Sequence, residues 1–458
     1  MNNENLFDLL VELKKYALIS DDIYEELSAP YQTDEFTLST MDWEDVRKLF
    51  FPKGQKIPIF RVEPMNSANL CPTFYPTLDA IHALRRDFNQ DISIQNRVLK
   101  FNTILKHVKN LVSRQVNANV EDLAFVRNTS EGNNILSNGF VRWVRDAEIL
   151  LWDENHPTNN AAWKLKAKNK DSVKYFSVKQ VDFNKSDEEV RKAIIKQITQ
   201  KIDPAKTVML SFSHVSNASG IQLPAAEIIK AVRAISSSIH IHVDGAMTWG
   251  SKNLNLKAMD CDSYSSSSHK WFMGPFETGL FYMKKDRCKD FRINIFGYDG
   301  KVEVPDLDDL PQDARKFELL GQRDEANIYA MGRTVETHNR INRSTYGIQE
   351  RVYILQNELV KQLKRKIPAV SGYTLSFLTP ESRTFSNGIV FFRIMRNNNI
   401  IDHGKLNDFL YSDEGRSQRF AVATTVKKDY LRICPHVMNL ESNISDVVDK
   451  IVVYLRRN

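Results

Sequence analysis

The chain has 458 residues, of which 42% are hydrophobic and 26% charged, so it is globular in composition and long enough for two or three domains. Its 63 basic and 57 acidic residues leave a net charge of +6, a small surplus that argues against nucleic acid as a partner. The four cysteines are scattered and form no CxxC pair, the N-terminus is unlike a signal peptide, and no apolar stretch reaches about 18 residues. These features predict a cytoplasmic protein without a membrane partner.

In chain order, the first predicted element is an accessory helical segment, in which leucines recur at helical spacing from Leu6 to Leu13 before Pro30 and a polar run. From about residue 75 to 290, short apolar runs alternate with helical patterns. This alternation predicts a mostly parallel sheet covered by helices on both faces. The predicted strands are Leu123–Val126, Glu148–Trp152, 173–178, 208–212, 240–243 and Gly279–Met283.

The last third of the chain has a different pattern. Residues 291–325 are rich in Gly, Asp and Pro, which predicts loops, and one long helical pattern follows over 326–363. Strand patterns at 388–394 and Tyr430–Ile433, with a final helix at 444–455, predict a smaller α+β domain. We therefore expect an N-terminal segment at 1–45, a large domain at 46–335 and a small C-terminal domain at 336–458.

Polar clusters at strand ends are candidate site residues, because ligands of open α/β sheets bind outside the carboxyl ends of the strands. The first cluster, Arg127 to Asn134, lies between a predicted strand and a predicted helix. Hydroxyls and unpaired N–H groups at a helix N-terminus can bind a phosphate. Simple capping of the helix by Thr129 or Ser130 is the alternative interpretation.

The second cluster, His240 to Ala246, places Asp244 at the end of an apolar strand. Burying this carboxylate is costly unless it meets a positive partner, and a protonated pyridine nitrogen would be one. A cap or turn role for Asp244 is the alternative. We disfavour a metal site at His240 and His242, because alternation puts both on one strand face, and we assign no metal ligand.

The third cluster runs from Ser265 to Trp271 and is followed by Gly274-Pro275. A lysine in a hydroxyl-rich turn of small residues can lose its proton through desolvation and attack an aldehyde. The neighbouring Ser, His, Trp and Gly-Pro residues favour this role for Lys270 over that of a surface lysine.

Two further clusters are weaker on their own. Asp153 to Pro157 contains His156, whose imidazole could lie on an aromatic cofactor but is more often a loop or cap residue. Ser213 to Gly220 contains Asn217, whose amide could bind a cofactor oxygen or form a turn before Gly220.

Together, these clusters resemble fold-type I pyridoxal-phosphate enzymes of aminotransferase class V, over about residues 60 to 440, and the isopenicillin N epimerase-like branch looks closest. Further marks are Asn66 to Leu70, Gly321 to Asp324 and Leu431 to His436. The resemblance implies an α/β large domain with a mostly parallel seven-stranded sheet between helices. It also implies a smaller α+β C-terminal domain, and a homodimer with active sites at the interface.

The resemblance implies pyridoxal 5'-phosphate (PLP) as the cofactor. Lys270 would hold it as a Schiff base and move the Cα proton, Asp244 would pair with the pyridine nitrogen, and His156 would stack on the ring. The other implied contacts are Thr129, Ser130, Ser267 and His269 for the phosphate, Asn217 for the phenolic oxygen, Gln322 and Arg323 near the partner subunit's cofactor, and Arg432 for the substrate carboxylate.

Three departures from the family pattern bear on the reaction. Met247 stands where the family usually has a glutamine that bonds the phenolic oxygen, and Gln322 stands where a threonine usually reaches the partner subunit's phosphate. Cysteine desulfurases carry a nucleophilic cysteine on a loop before the substrate-binding arginine. Residues 418–425 contain no cysteine, and Cys434 lies beyond Arg432, which disfavours persulfide chemistry.

The expected activity is a change at the Cα of an amino-acid substrate. Transamination and epimerisation are favoured, and β-elimination of a sulfur or nitrogen group is the runner-up. A non-catalytic, PLP-binding protein on the same fold is the alternative from another functional class, and it is disfavoured because Lys270 and Asp244 are both present.

Overall fold

A computed structural model describes residues 5–32, 41–50, 62–143, 146–167, 169–297, 310–412 and 421–458. The α-helices are α1 Leu6–Lys15, α2 Asp21–Gln32, α3 Trp43–Lys48, α4 Tyr75–Gln90, α5 Ile94–Val116, α6 Thr129–Gly139, α7 Pro157–Lys166, α8 Asp187–Thr199, α9 Ala225–Ile235, α10 Leu256–Met259, α11 Glu325–Ser344, α12 Ile348–Lys366, α13 His403–Tyr411 and α14 Glu441–Arg457. The strands are β1 Val62–Pro64, β2 Leu123–Val126, β3 Glu148–Trp152, β4 Val173–Phe176, β5 Thr207–Ser213, β6 His240–Asp244, β7 Ser263–Ser267, β8 Gly279–Met283, β9 Tyr373–Phe377, β10 Val390–Arg396, β11 Asn399–Ile400, β12 Ala421–Ala423, β13 Thr425–Lys427 and β14 Tyr430–Ile433.

The centre of the large domain is a seven-stranded sheet with the order β2-β8-β7-β6-β5-β3-β4. Strand β8 runs antiparallel to both of its neighbours, and all other pairs are parallel. Five of the strands, β2, β5, β6, β7 and β8, consist entirely of buried residues, because helices cover both faces of the sheet. The expected α/β fold with a mostly parallel seven-stranded sheet is confirmed.

Two expectations about local structure are wrong. Residues 265–267 belong to strand β7, whereas the sequence suggested a turn; the turn begins at Ser268. The helical pattern over 326–363 is two helices, since α11 ends at Ser344 and Gly347 has a φ of +93°, outside the helical region.

The N-terminal helices pack on the large domain. Leu6, Leu9 and Leu10 of α1 are fully buried in the same apolar cluster as residues of α4, α5 and α11. The N–H of Leu6 also donates to Glu336 Oε1 at 2.8 Å, and this bond ties the start of α1 to α11. Pro30 lies inside α2, near its end, and not after it.

The C-terminal part forms a second sheet with the order β11-β10-β14-β13, and β9 pairs with β10. Helices α12 and α14 pack together against it, and their apolar residues share one cluster with those of the strands. Strand β1 pairs in parallel with β12, and Asn66 forms a bridge with Cys434, so residues near the start of the chain lie beside β14. The domain boundary at 335/336 stays a prediction. None of the described helices is both long and apolar enough to cross a membrane.

Candidate active site

Lys270 lies in a turn that directly follows β7. Ser268 fixes this turn, because its Oγ donates to the carbonyls of Pro275 and Thr278 at 2.7 and 2.6 Å and its N–H also bonds to Thr278 O. The Gly-Pro pair noted in the sequence, together with Thr278, therefore shapes the turn that carries the lysine. The pKa of Lys270 is lowered, first by burial and then by Arg432, while Asp244 opposes the shift.

Asp244 ends β6 and is 3% exposed. Its Oδ2 accepts from Asn133 Nδ2 at 3.0 Å, and its Oδ1 accepts from the N–H of Ala246 at 3.1 Å. Both donors are uncharged. The carboxylate is thus held in place by two hydrogen bonds. Within the described residues no cationic side chain lies at bonding distance from it, and a protonated pyridine nitrogen would be a suitable partner for its charge.

Behind Asp244, a chain of buried hydrogen bonds continues through the sheet. Asn133 Oδ1 accepts from His242 Nε2 at 3.1 Å, and Ser263 Oγ donates to His242 Nδ1 at 2.9 Å. His240 Nε2 in turn donates to Ser263 Oγ at 2.8 Å. Burial lowers the pKa values of both histidines to about 3, so both are neutral, with one donor and one acceptor nitrogen each. Among the described residues no acidic, His or Cys cluster could hold a metal ion.

The start of α6 meets the end of β7. The N–H of Thr129 donates to Ser267 Oγ at 2.8 Å, and the two hydroxyls are 2.7 Å apart. The helix is capped by Asn128, whose side chain accepts from the N–H of Glu131, and not by Thr129 or Ser130 as the alternative interpretation held. One of the two hydroxyls donates to the other, so one hydroxyl hydrogen of the pair is left to bind an anion at this helix N-terminus.

His269 directly precedes Lys270 in the turn after β7. Its ring stacks on Phe276 with 5.9 Å between centroids. Burial, followed by the charge of Lys270, lowers the pKa of His269 to about 4. The imidazole is consequently neutral near pH 7 and can bind a phosphate as a hydrogen-bond donor.

His156 caps α7 at the carboxyl end of β3. Its Nδ1 accepts from the N–H of Thr158 at 3.3 Å and lies 2.8 Å from the Thr158 hydroxyl. Asn155 holds the preceding loop to β5, because its Oδ1 accepts from the N–H of Ser213 at 2.7 Å. Burial and then the charge of Lys270 lower the pKa of His156, which favours a neutral ring that can lie against an aromatic cofactor.

Asn217 lies in the loop after β5. The turn at this loop is formed by Ser216, whose Oγ accepts from two following N–H groups, and by Gly220 at a φ of +75°. The backbone carbonyl of Asn217 accepts from Arg432 Nη1 at 3.4 Å, and Arg432 Nη2 donates to Asn66 Oδ1 at 2.8 Å. Arg432 thus reaches the cavity edge from the small domain.

These elements enclose a cavity of about 240 Å³. Its walls carry an amine, a carboxylate, two imidazoles and several hydroxyl groups, and this set of donors and acceptors fits PLP. The residues of the predicted site that line it are Thr129, Ser130, His156, Asn217, Asp244, Ser267, His269 and Lys270. Met247, the residue that departs from the family pattern, also lines it.

The family model described as Aminotransferase class-V matches residues 70–392 of the chain. The chain belongs to this family. It is therefore a PLP-dependent enzyme of class V, and the resemblance inferred from the strand-end clusters is confirmed.

The relatives of this class V chain include two kinds of enzyme. It is 24% identical over 298 residues to an isopenicillin N epimerase from Streptomyces clavuligerus, covering 64% of this chain and 71% of the relative. It is also 24% identical over 311 residues to a probable cysteine desulfurase from Methanothermobacter thermautotrophicus, covering 66% and 71%.

Among solved structures, the cystine C-S lyase C-DES in complex with its product cysteine persulfide has a TM-score of 0.69 and 19% identity, covering 85% of this chain and 96% of that one. A variant of that lyase carries glycine covalently linked to its PLP cofactor. At this level of identity the likeness confirms the fold.

Three residues of the predicted class V site are not among those that line the cavity of a single chain: Gln322, Arg323 and Arg432, which contacts the lining residue Asn217. Gln322 is exposed. The Nη1 atom of Arg323 is buried without a hydrogen-bond partner, near Glu131 and Glu318 rather than near Lys270. The predicted contact of Gln322 and Arg323 with a neighbouring subunit stays a prediction.

Several residues of the site were missed in the sequence. Thr158 and Ser213 line the cavity, Asn133 holds Asp244, and Lys427 donates to the Asn217 carbonyl at 2.9 Å. Asn133 lies in the quoted strand-end cluster, so its one-turn spacing from Thr129 is a signal that could have placed it on the same helix face. Lys427 offered no such signal, because a strand pairing in the small domain brings it to the site.

Proposed function

We propose that this enzyme transforms an amino acid at its Cα atom, by transamination or epimerisation, with Lys270 as the base. The observation that supports the proposal is the placement of Lys270 and Asp244 on the walls of one small cavity. When bound there, PLP supplies an electron sink for the negative charge that develops at Cα. Asp244 would keep the pyridine nitrogen protonated, which makes that sink effective.

The chain's own groups would divide the remaining work. Lys270, whose pKa is lowered by burial, can take the Cα proton and return it. Thr129, Ser130, Ser267 and His269 would bind the phosphate, and His156 would pack on the ring. Arg432 would bind the substrate carboxylate with its planar guanidinium and so orient the Cα–H bond towards Lys270.

A lyase that eliminates a β-substituent, such as a sulfur group, is the second candidate. The absence of cysteine from residues 418–425 favours it over a cysteine desulfurase, whereas the fold is shared with solved structures of both kinds of enzyme. Cys434 is buried and burial raises the pKa of its thiol, so it is a poor nucleophile.

The proposal includes a homodimer in the cytoplasm. The Nη1 atom of Arg323 is buried without a hydrogen-bond partner, and the neighbouring Gln322 is exposed. A second subunit would supply the partner of Arg323. The four unpaired cysteines suit a reducing compartment. Light scattering of the purified protein tests this part, since a monomer at micromolar concentration would contradict it.

A panel of amino acids in heavy water tests the reaction. Transamination yields a keto acid, epimerisation yields deuterated enantiomers, and elimination releases ammonia together with a keto acid. Lys270→Ala should abolish deuterium exchange at Cα, whereas Lys252→Ala, at a half-buried lysine that lines a different cavity, should retain it. A protein that binds PLP but exchanges no Cα proton with any member of the panel would overturn the proposal in favour of a non-catalytic role.

A further inference from the structure

Two cations meet at the edge of the active-site cavity. Strands β13 and β14 are antiparallel, and Thr425 pairs directly with Arg432. Side chains alternate along a strand, so Lys427 lies on the same sheet face as Thr425 and therefore on the same face as Arg432. Lys427 and Arg432 are diagonal neighbours on that face, and residues in this relation are about 7–8 Å apart. Both side chains donate to the backbone carbonyl of Asn217, from 2.9 and 3.4 Å.

The hydrogen-bond partners of these two cations in the described residues are neutral oxygens: the Asn217 carbonyl for both, and the Asn66 side chain for Arg432, which also lies over the Phe391 ring. Arg432 is 3% exposed, and its Nε atom is buried without a hydrogen-bond partner. Burial and then the charge of Arg432 lower the pKa of Lys427 to about 8. Two partly desolvated cations beside a third, Lys270, favour an anion between them.

The negative charge in the surroundings is already engaged. Asp244 is the carboxylate among the described residues that line the small cavity, and it would pair with the pyridine nitrogen of bound PLP. The carboxylates that line the larger cavity of about 1300 Å³ next to it have other partners: Glu154 accepts from the hydroxyls of Ser216 and Ser219, Asp153 pairs with Lys179 at 2.7 Å, Asp182 accepts from Asn184, and Glu381 pairs with Lys364 at 2.6 Å. Among the described residues, none of these carboxylates pairs with Lys427 or Arg432, so an anionic ligand would supply the matching negative charge.

The two cavities meet at Asn217, which lines both, and Lys427 lines the larger one. Resting on the function proposed above, we propose that Lys427 binds a second carboxylate of the substrate. Arg432 takes the α-carboxylate, the reacting Cα lies at Lys270, and the side chain extends past Asn217 to Lys427. The substrate class is then an amino acid whose side chain ends in a carboxylate.

The test compares kcat/KM of the PLP-loaded enzyme for L-aspartate, L-glutamate and their two amides. Wild type should prefer the acids, and Lys427→Gln should lower kcat/KM for the acids by about 10- to 100-fold, as for the loss of a charge-assisted hydrogen bond, with the amides unchanged. Lys427→Arg should restore most of the preference. Lys405→Gln removes the same charge at an exposed position of the small domain that lines neither cavity, and it should change nothing.

An equal loss for acids and amides in Lys427→Gln would overturn the inference, because Lys427 would then act on the α-carboxylate or on the fold. Calorimetry with succinate and butyrate separates this inference from the proposed function. A protein that takes up no PLP but binds succinate more tightly than butyrate, through Lys427, would keep the inference and lose the function. Equal binding of the two acids would overturn the inference even in an active enzyme.

Discussion

Asn133 offers a sharp test of how the enzyme holds its key carboxylate. Asn133→Ala removes the bond to Asp244 and the two bonds that Asn133 Oδ1 accepts from His242 and Ser265. A bond to a charged group contributes about 1.5–3 kcal/mol, and each neutral bond contributes about 0.5–1.5 kcal/mol. The higher helix propensity of alanine offsets this loss in the free energy of unfolding by about 0.5 kcal/mol. We expect the free energy of unfolding to fall by about 3 kcal/mol.

Urea unfolding of wild type, Asn133→Ala and Asn134→Ala measures this difference. Asn134 is the matched control, because it is the next residue of the same helix, gains the same helix propensity and is exposed, with one bond to Ser130 O. Asn134→Ala should stay within about 1 kcal/mol of wild type. Asn133→Ala should also bind PLP more weakly, since Asp244 is less firmly held. Equal stability of the two variants would refute the assigned network.

Two further predictions concern the fold around this site. Gly245→Ala should abolish soluble expression or strongly destabilise the protein, because a Cβ atom at Gly245 would lie 1.9 Å from Tyr264 Cζ; a variant with wild-type melting temperature would contradict the packing. The buried neutral histidines His214, His240 and His242 have pKa values lowered by burial to about 3. Since these folded-state pKa values lie below the unfolded-state value of about 6.5, the contribution of these neutral histidines to the free energy of unfolding is fully present above about pH 6.5 and is lost as the pH falls towards about 3. Urea titrations at several pH values should show this decline, and a free energy of unfolding that does not change with pH would contradict it.

The fold was largely predictable because apolar runs of four to six residues bounded by polar turns are typical of buried parallel strands. Strand β7 was missed because four of its five residues are serines, which have no strand preference; its burial in the middle of the sheet decides its structure. The break between α11 and α12 depends on Gly347. A glycine inside a helical pattern is compatible with one continuous helix or with two separate helices, so the sequence did not indicate the break.

The candidate site was predictable where its residues follow strand ends, as Asp244 and Lys270 do. Residues that reach it through tertiary structure were not. Asn133 matters because α6 packs closely on β7, where a Cβ on Gly132 would lie 2.7 Å from Ser265 Cβ. Lys427 reaches the cavity from the second sheet, and no local pattern in the sequence indicates that placement.

The central claim is that Lys270 holds PLP, and borohydride reduction followed by peptide mapping tests it directly. The account predicts a yellow protein that borohydride bleaches, with the phosphopyridoxyl group on the peptide that contains Lys270 and no label in Lys270→Ala. Lys252 and Lys427 are the internal comparison, because burial lowers the pKa of each to about 8. Specific label on either of these lysines, or a protein that never takes up PLP, would contradict the account.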